Sequence, residues 1–341
     1  MKTRMDVQAG RSGPHVLFEP DWSAVVRFSP TPRTIEIMNA LARATETVKS
    51  PTDTPLPGAI LTVEKLVAEP TLTVIEPRGM WNLADVLELV RYRDLFFYLT
   101  LRDIKLRYKQ TILGVGWSLF QPLATMAVFA LFIGSIGGLD INIPNYTLFV
   151  LCAVLPWTFF SNSMINAGNS LLANERLVTK AYFPRVLMPA ANVGAALFDF
   201  IIAMTLLAGM LAWYRVTPTW QMLVAPLAVA FIVIAATGVG VLLSALVVAQ
   251  RDFKYLLSFG TQIWMFATPC IYMAPERIGP RGNAILPLNP AYGLIANFRA
   301  AVLGTPLDWY SFAVSGTVAV LLLFIGLTYF RRVERSFADV I

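Results

Sequence analysis

Histidine and cysteine are almost absent from this chain, and their scarcity limits its possible chemistry. The 341 residues include one histidine, His15, and two cysteines, Cys152 and Cys270. Zinc sites and catalytic triads draw on these residue types, so metal-dependent or triad-based hydrolysis is not expected. Both cysteines lie in apolar runs, where a thiol usually packs as a small hydrophobic group. We therefore predict no catalytic residue and no metal site.

Charge is missing from long stretches of the chain. Charged residues make up 14% of the sequence and hydrophobic ones 56%, and the mean hydropathy is +0.61. The run Trp117–Ile136 has no Asp, Glu, Lys or Arg, and as a helix it is long enough to cross a bilayer core about 30 Å thick. Similar stretches lie at Tyr146–Ile165, Val186–Trp213, Leu223–Ala249, Leu256–Met273 and Trp309–Phe330.

These runs lack the alternation of apolar and polar residues that marks barrel strands, so α-helices are the structure that can satisfy their backbone groups in lipid. The sequence predicts an all-α polytopic membrane protein with six transmembrane helices over residues 117–330. A short tail of residues 331–341 follows the last span.

The positive charges concentrate in the segments on one side of the predicted membrane. These segments carry Arg102, Lys105, Arg107, Lys109, Arg176, Lys180, Arg185, Arg251, Lys254, Arg331, Arg332 and Arg335. The positive-inside rule places both termini in the cytoplasm. The net charge of +6 is explained by this placement, and no nucleic-acid partner is expected. The chain opens without an apolar stretch behind its first cations, so no cleavable signal peptide is predicted.

Two regions precede the first span. Residues 1–80 form a polar, proline-rich extension with short β-like pieces, and the sequence leaves open a small β module or a disordered tail. Residues 81–116 contain an amphipathic helix, in which Leu101, Ile104 and Tyr108 share one face. Cations on the neighbouring face are Arg102, Lys105 and Lys109. Such a helix is typical of a membrane surface, among lipid headgroups.

The segment between the fifth and sixth spans is not predicted to be another transmembrane helix. Ile285–Leu303 is apolar but is interrupted by Pro287, Pro290 and Arg299. We predict a re-entrant or interfacial helical hairpin here, which is tolerated at membrane depth only beside protein or a water-filled cavity.

Three segments together resemble a known family. They are YRDLFFYLTLRDIKLRYKQTILGVGWSLFQPL, NERLVTKAYFPRVLMP and LNPAYGLIANFR, and they are similar to the permease subunit of ABC-2 type polysaccharide exporters. The resemblance covers about Thr73 to the C-terminus and leaves residues 1–70 unexplained. It implies a bacterial inner-membrane complex of two permease copies and two nucleotide-binding subunits. It further implies export of an undecaprenyl-linked glycan such as O-antigen or capsule.

The sequence itself lacks an ATPase motif. No Gly-Lys dipeptide occurs, so the phosphate-binding loop of ATP-driven pumps is absent. ATP and Mg²⁺ are expected on a separate partner, and no cofactor or enzymatic activity is expected in this chain. The expected partners are this ATPase, a second copy of the chain, the lipid-linked glycan and membrane lipids. Two alternatives stay open: an ABC-2 exporter of a small drug or lipid, and a membrane-embedded glycan-modifying enzyme.

The loop after the second span is the candidate docking site for the ATPase. In ANERLVTKAYFPR, Asn174 can cap a short helix that ends before Pro184. Paired exposed aromatics suit a groove in a partner, and the resemblance identifies this segment as the coupling helix. A simple connector is the alternative. The candidate residues are Asn174, Glu175, Arg176, Lys180, Tyr182, Phe183 and Arg185.

Asp199 is the only carboxylate inside a predicted span. A charge at that depth costs about 2.5–3.5 kcal/mol, so the group is expected to be protonated, paired or turned inward. A substrate contact and polar packing with Gln262 or Asn192 are both open.

Aromatic residues supply the candidates for a glycan path. Sugars dock on aromatic faces, and the family resemblance implies that the first and fifth spans line the channel. The candidates are Phe120, Trp264, Phe266 and Tyr272.

Overall fold

The computed structural model describes residues 91–109, 111–136, 143, 145–180, 183–273 and 275–334. Within these ranges every regular element is helical, which confirms the all-α prediction. The extension at residues 1–80, the start of the 81–116 segment, Tyr182 and most of the 331–341 tail lie outside the described residues.

Ten α-helices, numbered here in chain order, make up the described part. They are α1 Arg93–Tyr108, α2 Gly116–Val128, α3 Tyr146–Ala173, α4 Glu175–Lys180, α5 Leu187–Trp213, α6 Ala225–Ala249, α7 Phe253–Phe266, α8 Pro275–Ile285, α9 Pro290–Leu303 and α10 Trp309–Glu334. Helix α2 continues as a π-helix over Phe129–Ile136. Short 3₁₀ turns lie at Trp220–Val224, Pro269–Ile271 and Leu286–Leu288.

Four of these helices are long and apolar enough to cross a membrane: α3, α5, the continuous Trp220–Ala249 segment and α10. The other two predicted spans differ in form. The first is helical throughout, but its second half takes the wider π form. The fifth is not one helix, because α7 ends at Phe266 and a 3₁₀ turn begins at Pro269. At 14 residues, α7 is about 21 Å long, less than the about 30 Å of the bilayer core.

The centre of the bundle is α6, which packs against α3 on one side and α10 on the other. Gly238 of α6 faces the backbone of Leu323, and Gly326 of α10 faces the Gly238 carbonyl. A side chain at either glycine would collide with the neighbouring helix backbone. The two helices therefore approach as closely as small residues allow in membrane bundles.

Helices α8 and α9 occupy the segment predicted as a hairpin. Helix α8 is bent at Gly279, whose φ is +79°, and the turn Leu286–Leu288 leads into α9. Helix α9 is largely buried and packs on α3, α6 and α10. Arg299 does not interrupt it: the side chain is 4% exposed, lies 3.8 Å over the Phe149 ring and donates to the Cys270 carbonyl.

A second apolar cluster, here the end cluster, joins helices at one end of the bundle. It consists of Leu99, Leu171, Val178, Val186, Leu187, Met188, Ala191, Val241, Ala245, Val248 and Phe330. These residues come from α1, α3, α4, α5, α6, α10 and the loop after α4. Arg185 adds a polar tie, because its Nη1 donates to the Glu334 carbonyl at 2.6 Å. The ends of these helices, the short helix α4 and the loop after it therefore form one packed unit.

Candidate functional site: a polar cavity between α1, α2, α3 and α5

A cavity of about 320 Å³ opens between α1, α2, α3 and α5. Half of its lining residues are polar, namely Arg107, Tyr108, Ser118, Gln121, Thr158, Asn162, Asn166 and Asp199. The apolar part includes three aromatic rings, those of Trp117, Phe159 and Phe200. The volume lies in the range of about 300–1,000 Å³ typical of small-molecule sites.

Close packing of α1 on α5 forms one wall of the cavity. A Cβ at Gly194 would lie 3.1 Å from the Thr100 side chain, so α1 approaches α5 tightly at this point. Three residues further along α1, Asp103 accepts a hydrogen bond of 3.1 Å from Asn192 and is paired with Arg102 at 2.7 Å. Residues four apart share a helix face, so this same face carries Arg107 to the cavity.

Asp199 is held at the cavity wall by two consecutive residues of α1. Both the Arg107 guanidinium and the Tyr108 hydroxyl donate to its carboxylate, and the Tyr108 hydroxyl also lies 2.6 Å from Ser118 Oγ. Burial, followed by the hydrogen bond to Asp199, raises the pKa of Tyr108 above its usual 10.0. The phenol therefore keeps its proton at neutral pH and acts as a donor to the carboxylate.

The expected partners of Asp199 were wrong. Asn192 bonds Asp103 instead, and Gln262 is exposed on α7. The partner is Arg107, 92 positions earlier in the chain. Sequence reasoning placed Arg107 among the loop charges and missed this role, because the helical pattern alone does not tell which cation of α1 turns inward.

The predicted cations of α1 have two different environments. Arg102 pairs with Asp103, while Lys105 and Lys109 are exposed. Leu101 and Leu106 are exposed on the same helix. Of the apolar face predicted at Leu101, Ile104 and Tyr108, only Tyr108 lines the cavity.

Three carboxamides face the cavity with much of their bonding capacity unused. Asn162 and Asn166 are one turn apart on α3, and Gln121 lies across from them on α2. The Asn162 amide reaches Gln121 Oε1 only at 3.5 Å, the limit of a hydrogen bond. Among the described residues, the Asn166 side chain makes no hydrogen bond. A carboxamide can donate two hydrogen bonds and accept two, so this wall can bind a polar ligand.

The predicted coupling loop forms a short helix, as expected. Helix α4 begins directly after Asn174, whose carbonyl accepts from Leu177 N at 2.9 Å; the Asn174 side chain turns back and donates to the Ser170 carbonyl. Glu175 and Arg176 are exposed, and Lys180 is the last residue of α4. Phe183 is half-buried and packs against the end cluster, so the prediction that it is exposed is wrong.

The four aromatic channel candidates have two kinds of environment. Phe120 and Phe266 are 55% and 63% exposed. Trp264 is packed against Phe160 and donates to Asn289 Oδ1 at 2.9 Å, and Tyr272 stacks on Phe129. None of the four lines the cavity, but Phe120 is in edge contact with Trp117, which does.

A profile of ABC-2 type transporters matches residues 94–303, which span the described helices from α1 to α9. The chain belongs to the ABC-2 type transporter family. The resemblance drawn from the three sequence segments is thereby confirmed at the level of the family.

This ABC-2 family chain is also similar to named permeases. An O-antigen export system permease protein RfbA of Klebsiella pneumoniae is 28% identical over 252 residues, which are 73% of this chain and 95% of that protein. An O-antigen export system permease protein RfbA of Myxococcus xanthus is 29% identical over 257 residues, which are 74% of this chain and 98% of that protein. All residues that line the cavity lie within the range matched by the family profile.

Proposed function

We propose that this chain is the membrane-spanning permease subunit of an ATP-driven exporter that moves a lipid-linked polysaccharide, of the O-antigen or capsular kind, out of the cytoplasm. The observation that carries the proposal is its similarity, over nearly the full length of the relatives, to permeases named for O-antigen export. A cavity lined by carboxamides, hydroxyls and aromatic rings suits a polar cargo better than an apolar drug.

The proposed topology has six spans in the bacterial inner membrane with both termini in the cytoplasm, on the basis of the loop charges. It includes the shorter α7 and the π-helical continuation of α2 as spans, with α9 as a re-entrant element. In this orientation α1, α4 and the end cluster lie at the cytoplasmic face. The cavity then lies in the cytoplasmic half of the bundle, where a cargo made in the cytoplasm enters.

The proposed energy source is a separate nucleotide-binding subunit that carries ATP and Mg²⁺, two copies of which act with two copies of this chain. Helix α4 with its flanking residues is the proposed docking element. The end cluster connects α4 to α1, α5, α6 and α10, so a displacement of α4 by the ATPase would be passed to the walls of the bundle. Glu175 and Arg176, which are exposed on α4, are the residues proposed to contact the ATPase.

The test is complementation of a strain from which this chain has been deleted. We expect the deletion to abolish surface polysaccharide and the wild-type chain to restore it. Reversing the charges with Glu175→Lys/Arg176→Glu should reduce both surface polysaccharide and co-purification of the ATPase at equal permease abundance. Lys254→Glu is the control, since Lys254 is exposed and lies at the start of α7, on the same predicted side.

Two outcomes would contradict the proposal. Normal surface polysaccharide in the deletion strain, combined with altered drug or lipid efflux, would favour the small-molecule exporter. Unchanged export and unchanged complex formation in the charge-reversal variant would show that α4 is only a connector.

A further inference from the structure

We propose that the cavity between α1, α2, α3 and α5 binds a neutral sugar unit of the transported glycan and does not bind its phosphate. This proposal rests on the export function proposed above and assigns a substrate contact within it. It is carried by the charge balance of the cavity, by the unused hydrogen-bonding capacity of its carboxamides and by the aromatic rings in its walls.

The charges at the cavity do not favour an anion. Arg107 is the only cation among the lining residues, and its guanidinium is bonded to the Asp199 carboxylate. A phosphate that binds Arg107 would have to displace the Asp199 carboxylate or lie directly beside it. Because both groups are negative, they would repel each other. Tyr108 strengthens the pairing because it also donates to Asp199. The pair leaves the cavity without net charge among its described lining residues.

The carboxamides need a partner that both donates and accepts hydrogen bonds. Gln121 is exposed and Asn162 and Asn166 are partly exposed, so their unused amide groups face the open cavity, where water or a polar ligand can bond to them. Adjacent sugar hydroxyls each donate one hydrogen bond and accept others, which matches the mixed capacity of a carboxamide. Because Asn162 and Asn166 are one turn apart on α3, they present two such groups side by side.

The aromatic rings complete a sugar-like site. Trp117, which is 50% exposed, lines the cavity from α2 and offers its ring to a ligand. Phe159 and Phe200 also line the cavity but are 3% and 5% exposed and pack on each other, with centroids 5.4 Å apart and a tilt of 45°. The C–H faces of a sugar ring pack on aromatic faces, while its hydroxyls reach polar neighbours. Rings beside carboxamides in one cavity of about 320 Å³ thus form an amphipathic site of the type that a sugar ring fits.

Photo-crosslinking in living cells tests the assignment with the native glycan as the probe. The photoreactive residue p-benzoylphenylalanine replaces Trp117, a substitution of one large aromatic side chain by another. The control carries it at Phe324, which is 61% exposed on α10 and does not line the cavity. After irradiation the permease is purified and stained for periodate-sensitive glycan. We expect a stained adduct at position 117 and none at position 324.

Mild acid separates the two ends of the cargo, because it cleaves the glycosyl–pyrophosphate bond before ordinary glycosidic bonds. An adduct formed on the sugar keeps its glycan stain after acid treatment, and this is the expected result. An adduct formed on the lipid or the phosphate loses the stain, and that result would overturn the proposal.

The carboxamides are tested in the same crosslinking background. Asn162→Leu/Asn166→Leu should lower the stained adduct about tenfold, the loss expected for two hydrogen bonds of ordinary strength. Thr205→Leu, on the exposed face of α5, should leave it unchanged. Asn166→Gln keeps a carboxamide and should retain most of the adduct. All yields are divided by the amount of permease in the membrane, and an equal adduct in the double variant would contradict the role of the carboxamides.

The export readout separates the two proposals. If the wild-type chain restores surface polysaccharide but no adduct forms at position 117, the sugar site is wrong and the export function stands. If the wild-type chain restores no surface polysaccharide, the proposed function fails and the sugar assignment fails with it.

Discussion

The carboxamide side chains of this bundle are hydrogen-bonded in one polar region and largely without hydrogen bonds in another. Around α9, Asn297 is 1% exposed and its side chain makes three hydrogen bonds: it donates to the carbonyls of Gly293 and Asp308 at 2.8 and 3.0 Å and accepts from Asp308 N at 3.0 Å. In the cavity, the Asn166 side chain makes no hydrogen bond among the described residues. The same residue type is a structural link in one place and an open binding group in the other.

Other polar side chains beside α9 are also hydrogen-bonded. The side-chain oxygen of Asn289 accepts from Trp264 Nε1 and Ala291 N, while its amide donates to Thr268 at 2.9 Å. Ser315 accepts from Gly293 N and donates to the Pro287 carbonyl. A fully satisfied buried network fixes one arrangement of the chain. Polar groups left open in a membrane protein indicate function by default, which separates the cavity from the α9 region.

The largest effect in this comparison is expected for Asn297→Leu. The substitution removes the acceptor of the Asp308 N–H and the side-chain donor to the Gly293 and Asp308 carbonyls. Each of these three hydrogen bonds contributes about 0.5–1.5 kcal/mol, so we expect the folded state to lose about 2 kcal/mol or more. The measurement is the thermal midpoint of the purified protein in detergent.

The control is Thr317→Leu on α10, an exposed residue whose hydroxyl bonds only within its own helix. It should melt close to the wild-type temperature. A thermal midpoint for Asn297→Leu equal to that of the control would show that the α9 network is not structural, and the contrast with the cavity would disappear.

Long helices were predicted well because they depend on composition. The predicted spans Val186–Trp213 and Trp309–Phe330 correspond to α5 at Leu187–Trp213 and α10 at Trp309–Glu334. Apolar runs of this length indicate helices whatever their detailed pattern. The fifth span was predicted as Leu256–Met273 because the residues around Pro269 are also apolar; the α-helix instead ends at Phe266 and a 3₁₀ turn begins at Pro269.

The cavity was harder to predict because it depends on which helix faces meet. Asn162 and Asn166 carry a visible signal, two carboxamides one turn apart in an otherwise apolar helix. The pairing of Arg107 with Asp199 has no local signal, since it joins residues 92 positions apart through the close contact of α1 with Gly194. Tertiary packing therefore determines this pairing.

An intermediate effect is expected for Asp199→Asn. A neutral carboxyl group would tolerate this change, but the Asp199 carboxylate is paired with Arg107. The substitution removes a charged hydrogen bond at a site where both side chains are partly exposed, at 27% and 18%. We expect a loss of about 1–2 kcal/mol, seen as a lower thermal midpoint and as faster proteolysis of α1.

A double-mutant cycle measures the interaction energy between Arg107 and Asp199. Arg107→Met and Asp199→Leu should each lower the thermal midpoint, and the double variant should be more stable than the sum of the two losses predicts, because neither charge is left alone. Strictly additive losses would show that the two residues do not stabilise each other.

The smallest effect on stability is expected for Asn166→Leu, and it tests the comparison from the other side. The wild-type amide has no hydrogen bond among the described residues, so its removal breaks no hydrogen bond of the folded chain. Leucine at the same site adds apolar surface to the wall between α2 and α3, which is stabilising where that surface is buried. We therefore expect a thermal midpoint equal to or slightly above that of the wild type, together with reduced surface polysaccharide at equal membrane abundance. Asn297→Leu should show the reverse pattern, in which any loss of export follows the loss of folded protein. A clear drop in the Asn166→Leu midpoint would mean that the carboxamide supports the bundle as Asn297 does.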